Sequence, residues 1–175
     1  PGSQNSGGGG GGEGDLGTPN DLTRIMMVPE GAEVTGLHVN SLGNLFVSAM
    51  HPDEPFKATI GVVNGFDWNN LPENIPELPS TSSQSEIWHG IRTSVGVYQA
   101  LLQSGDSLSS GEVAGGIYAA DDGELLFTSE KPDFNAFVAT NLEETEGYLY
   151  STWESRPAGV SQLHIEWNSM SGEWD

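Results

Sequence analysis

Gly147-Tyr148-Leu149-Tyr150-Ser151-Thr152-Trp153, followed across Arg156-Pro157-Ala158-Gly159 by Val160-Ser161-Gln162-Leu163-His164-Ile165-Glu166-Trp167, is the stretch whose reading decides the fold. In its second half Leu163, Ile165 and Trp167 alternate with Gln162, His164 and Glu166. A period of two sends the two sets to opposite faces of an extended strand, as happens when one sheet face is buried. The connector holds Pro and Gly, so the two runs read as a hairpin.

The same grammar extends toward the amino terminus. Gly116 to Ala119 and Glu124 to Thr128 are joined by Asp121-Asp122-Gly123, a second hairpin signal. Thr35 to Val39 and Asn44 to Met50 flank Asn40-Ser41-Leu42-Gly43, whose residues suit a tight turn. Lys57 to Asn64 reads as a further strand, and Arg24 to Val28 as the first. The fold class expected is mainly β: antiparallel hairpins forming a twisted sheet or a partial β-propeller-like domain.

Two segments depart from that grammar. Residues 66–85 are rich in Pro, Asn and Ser and predict one long loop, pinned by Trp68, Leu71, Ile75 and Leu78. Between Glu86 and Gln103, Ile87, Ile91, Val95, Tyr98 and Leu102 fall at helical spacing, with Ser83 or Ser85 as an N-cap. Yet Thr93, Val95, Val97 and Tyr98 prefer strands, while Gly90 and Gly96 weaken a helix. A strand over Thr93–Leu102 is the favoured reading.

The chain has 175 residues, the size of one ordinary domain. Residues 1–20 form a Gly-rich tail with the run Gly7 to Gly12, and residues 21–175 a single β-rich domain. A tail of this composition orders only when something outside holds it, which makes Gly7 and Gly12 candidates for partner docking. No apolar run approaches the ~20 residues of a bilayer-spanning helix. Pro1 in first place fits a removed leader or a fragment, with secreted, periplasmic or plastid destinations as the expectations.

Asp and Glu number 25 against 5 Lys and Arg, for a formal charge of −20. The cations Arg24, Lys57, Arg92, Lys131 and Arg156 are scattered, so no basic surface for nucleic acid can be assembled. An acidic field attracts divalent cations and basic protein surfaces. With no cysteine in the chain, disulfides, thiolate catalysis and Cys-ligated metals are excluded.

Five segments in order resemble the PhoX-type alkaline phosphatase family. They are Pro29 to Gly36 with Leu45-Phe46-Val47 and His51-Pro52; Gly61 to Gly65 with Asn69-Asn70-Leu71-Pro72; Val95 to Gln99 with Gln103 to Asp106; Pro132 to Phe137; and Gly147 to Tyr150 with Trp153 to Ser161. The resemblance implies part of a propeller-type, calcium- and iron-dependent phosphatase scaffold. It covers the region before the cysteine-containing segment and later acidic residues of that family's metal site, and this chain has no Cys for the iron position. Neither a P-loop nor a G-x-S-x-G elbow occurs here.

Glu33, Asp53, Glu54 and Glu154 are the candidate metal carboxylates, with calcium the possible cation. His51-Pro52-Asp53-Glu54, Asp121 to Glu124 and Asn141 to Glu146 read more simply as loop and turn residues. His38, His89 and His164 stand without a sequence-near partner that would make a metal site. Of the tryptophans, Trp68, Trp88, Trp153, Trp167 and Trp174, the last stands beside Asp175, where entry into a core is not expected, and is the best single docking candidate. The function expected is a non-catalytic accessory subunit on a truncated PhoX-like scaffold, docked onto a larger assembly such as a photosynthetic complex. The alternatives are a phosphomonoesterase fragment and a calcium-binding module.

Overall fold

The computed structural model describes residues 23–72, 75–85 and 90–175. The chain is almost entirely β, and every strand pair is antiparallel. The first four-stranded sheet has β2 (Glu33–Val39), β3 (Leu45–Met50), β4 (Thr59–Asn64) and β6 (Val97–Gln103) in that order. The second runs β9 (Pro132–Ala139), β10 (Glu146–Trp153), β11 (Gly159–Asn168), β12 (Glu173–Trp174). Two short ribbons complete the inventory: β1 (Met26–Met27) with β5 (Arg92–Thr93), and β7 (Gly116–Tyr118) with β8 (Leu125–Thr128).

The hairpin expected between these runs forms as β10 and β11, with Leu149 opposite Leu163 and Gly147 opposite Ile165. Burial along β10 alternates strictly: Leu149, Ser151 and Trp153 are buried, and Tyr148, Tyr150 and Thr152 half-buried on the other face. The expected first strand shrinks to Met26–Met27. The ambiguous stretch resolves into β5 and β6, separated by a turn in which Gly96 takes a φ of +75°. That turn breaks the strand expected to run unbroken from Thr93. Residues 86–89, which include Trp88 and His89, lie outside the described residues, as do Gly7 and Gly12.

The described parts of the 66–85 loop carry no strand, and the pins work at its start. The Trp68 indole N–H donates to the Gly43 carbonyl at 3.2 Å, and its ring lies against Phe66 with centroids 4.2 Å apart.

The core has two layers. Phe46, Ile60, Val62 and Leu102 of the first sheet meet Phe137, Leu149, Trp153, Ile165 and Trp174 of the second. On the other side of the first sheet Leu45, Val47, Val63 and Phe66 form a smaller cluster under Ile25, Met26, Leu71, Val95 and Tyr98. Strands β3 and β4 are therefore buried on both faces. Each fully buried Val, Ile or Phe contributes roughly 1.5–3 kcal/mol relative to exposure, so these strands concentrate the stability.

Two seams fasten the sheets along their sides. At one, Asn135 is 1% exposed; its amide donates to Ser48 Oγ at 2.8 Å and accepts from Ser151 Oγ at 2.6 Å. Strand β2 reaches this point because Gly36, at φ +65° beside a register shift, has no Cβ; one there would lie 2.5 Å from the Asn135 amide nitrogen. At the other seam the Gln99 carboxamide acts as a one-residue strand. It accepts from the Trp174 N–H at 2.9 Å and donates to the Trp174 carbonyl at 2.5 Å.

That second seam overturns the expectation for Trp174. The turn at 169–172 folds β12 back on β11, with Trp174 opposite Trp167. Its indole is 3% exposed, packed edge-on against Phe46, Phe137 and Trp167 at centroid distances of 5.5–5.7 Å. A side chain so enclosed is a core residue and not an exposed docking contact. Proximity to a terminal Asp says nothing of burial when a short strand can bring the terminus home.

Candidate docking site

Among the described residues the candidate metal carboxylates Glu33, Asp53, Glu54 and Glu154 belong to no group of three that could hold a metal ion. Glu33, at the start of β2, faces His51 at 3.5 Å, with both groups well exposed. The amide of Asp53 donates to the Glu30 carbonyl, which closes a turn against Gly31. Glu154 sits beyond β10 beside Lys131 and Arg156, and its backbone N–H donates to the Lys131 carbonyl at 2.8 Å. Among the described residues no three His, Asp or Glu side chains form a group that would hold a metal ion.

The other acidic turns serve the backbone. Asp122 Oδ1 accepts from the Glu124 N–H, closing the β7–β8 turn. Glu144 reaches across to accept from the Ser41 N–H at 2.7 Å, tying the β9–β10 loop to the β2–β3 turn. His38 lies near this link and its pKa is lowered by burial, an effect that the Glu144 carboxylate partly opposes. Burial also pushes the Tyr98 phenol well above its usual range; the ring lies over Gly61, where a Cβ would come within 2.4 Å of it.

One feature with unspent binding capacity is the outer edge of β11. Glu166 exchanges both backbone hydrogen bonds with Asp175, at 3.0 and 2.8 Å, while the Trp167 N–H turns the opposite way to the Thr145 carbonyl. Backbone direction alternates along an antiparallel strand. His164, Gln162 and Val160 therefore point their N–H and C=O groups to the same side as Glu166, away from β10. None of these six groups has a hydrogen-bond partner among the described residues.

Beside this edge runs a groove. Its wall opposite β11 is the 106–118 segment, and it comprises two hollows of about 390 and 570 Å³ that Leu108 and Gln162 both line. Leu101, Leu108 and Leu163, all partly buried against the main core, lie along it, although polar groups make up the larger share of its accessible lining. Asp106 and Glu112 stand on the wall, and no Lys or Arg lines either hollow. Outward on the sheet face, His164 pairs with Glu146 at 3.1 Å and lies 5.1 Å from the Tyr148 ring.

Natural edges are usually blunted by charge, proline, a bulge or a covering element. The free edge of β9 opens with Pro132 and Asp133, and that of β2 is bulged and leans on β9 through the Thr35 hydroxyl, which donates to the Pro132 carbonyl. From Val160 to Leu163 the β11 edge carries no charge, proline or bulge, and no strand pairs with it among the described residues. Sequence reading missed this site because a hairpin strand looks alike whether its far side is paired or free.

The chain matches no family model, no curated protein and no solved structure. The segments that resemble PhoX-type phosphatases fall mostly on strands of the two sheets and the turns beside them, and the resemblance gains no support from these comparisons. The functional reading rests on geometry.

Proposed function

We propose that this chain is a non-catalytic accessory module that docks onto a larger protein assembly by accepting an extended segment of a partner along β11. The observation that carries this reading is the run of backbone groups at Val160, Gln162 and His164 that find no partner among the described residues, flanked by a groove lined in part by Leu101, Leu108 and Leu163. In strand addition the main-chain hydrogen bonds supply affinity and the groove selects alternate side chains. Pairing here would also cover an edge that is otherwise open to indiscriminate association.

The test is a tagged chain expressed in cells of its source and run on native gels after gentle extraction. The wild type is expected in a large complex, and Gln162→Pro, which removes one outward N–H and leaves the β10 ladder intact, as a free small species. A wild type that migrates alone overturns the docking reading. Complexes formed equally by both forms remove β11 as the docking edge.

A further inference from the structure

Resting on that docking reading, we infer that the segment received by β11 is a basic, extended peptide of alternating cationic and apolar residues. The lane beside Val160–His164 is about 14 Å long at the usual strand rise, room for roughly five residues. Side chains of a strand laid there alternate between two environments. One set enters the groove over Leu101, Leu108 and Leu163, which calls for apolar residues. The other set emerges on the outer sheet face, where Glu146 and Glu166 lie on neighbouring positions of β10 and β11.

Charge selects the sign. Asp106 and Glu112 rim the far wall, Asp175 pairs with Glu166 at one end of the lane, and neither hollow is lined by Lys or Arg. The whole chain adds a field of −20 that repels a second copy of itself and any acidic segment. Complementary charges raise the encounter rate and suppress wrong partners, while the edge hydrogen bonds fix the register.

Fluorescence anisotropy with labelled synthetic peptides tests this on the full chain. The probes are Lys-Val-Lys-Val-Lys-Val-Lys, its Glu-Val and Ser-Val counterparts, and a Lys-Pro counterpart that has the same charge but too few N–H groups to join a strand. The Lys-Val peptide is expected to bind at least 10-fold tighter than each of the other three, to weaken at high salt, and to lose at least 10-fold on Gln162→Pro. Asp106→Asn with Glu112→Gln is expected to weaken it several-fold without changing its dependence on Gln162.

Equal binding of the Lys-Pro peptide would reduce the effect to bulk charge and overturn the inference. If the Ser-Val or Glu-Val peptide bound as tightly, and lost that binding on Gln162→Pro, the basic class would fall while β11 kept its docking role. A concentration-dependent dimer that Gln162→Pro dissolves would assign the edge to a second copy instead. Failure of all four peptides to bind would overturn the inference, and the native-gel comparison above would then decide the docking reading separately.

Discussion

Strands β3 and β11 occupy corresponding inner places in their sheets, yet they meet opposite surroundings. Along β3, from Leu45 to Met50, every residue is buried, because the second sheet covers one face and the 66–71 loop with β1 covers the other. Along β11 only Ile165 is fully buried, and among the described residues no strand pairs with its outer edge from Val160 to His164. The difference teaches how two sheets of one small β fold divide their labour. Burial and hydrogen bonding saturate one strand and make it a scaffold, while the other keeps backbone groups in reserve.

That contrast can be broken most forcefully at Trp174. Replacing it by Ala should cost about 4 kcal/mol, because three aromatic neighbours lose their common contact and the cavity cannot readily collapse. Trp174→Phe should cost less than about 1.5 kcal/mol, since it keeps a ring in place and removes an indole N–H that has no partner. Urea unfolding of both variants measures the difference. Equal, small losses would return Trp174 to the surface role that its sequence position implied.

Next comes the seam at Asn135. Asn135→Ala leaves the Ser48 and Ser151 hydroxyls without their buried partner and should cost about 3 kcal/mol in the same assay. Combining it with Ser48→Ala should show non-additivity, because the two side chains share one hydrogen bond. Additive losses would mean that the seam does not couple the sheets.

The edge itself is sharpened by neighbouring prolines. Leu163 directs its backbone at β10, so Leu163→Pro should cost about 3 kcal/mol. Gln162→Pro should cost under about 1 kcal/mol, since the N–H it removes is unpaired. Similar losses at both positions would contradict the alternation on which the site depends.

The smallest effect concerns pH. His38 has a folded pKa below its ordinary 6.5, so the unfolded chain binds the proton more readily. Its contribution to stability is complete above pH 6.5 and declines as the pH falls toward the folded value. Thermal melts between pH 7.5 and 5 should therefore lose less stability in His38→Gln than in the wild type.

What could be read from sequence follows the same division. The β10–β11 hairpin was legible because Leu163, Ile165 and Trp167 alternate with polar residues, which is how a strand with one buried face must look. β3 was found through its flanking turn, since burial on both faces erases alternation. β9 was read as a motif and not as a strand. It opens with Pro132 and Asp133, and its inward Asn135 satisfies itself on hydroxyls from other strands. Strand β12 is two residues long and gains its identity from Gln99, seventy-five positions away.

Nothing local announces the unpaired edge of β11. It depends on how β12 and the 106–118 segment lie beside the strand among the described residues.

The central claim, that β11 holds unpaired backbone groups in reserve, is tested most directly by residue-resolved amide hydrogen exchange on the free chain. The amides of Val160, Gln162 and His164 should exchange far faster than those of Ser161, Leu163 and Ile165, a zigzag of protection along one strand. Uniformly slow exchange from Val160 to Ile165 would show that the edge is already paired, and the account of this protein as a strand-accepting module would be wrong.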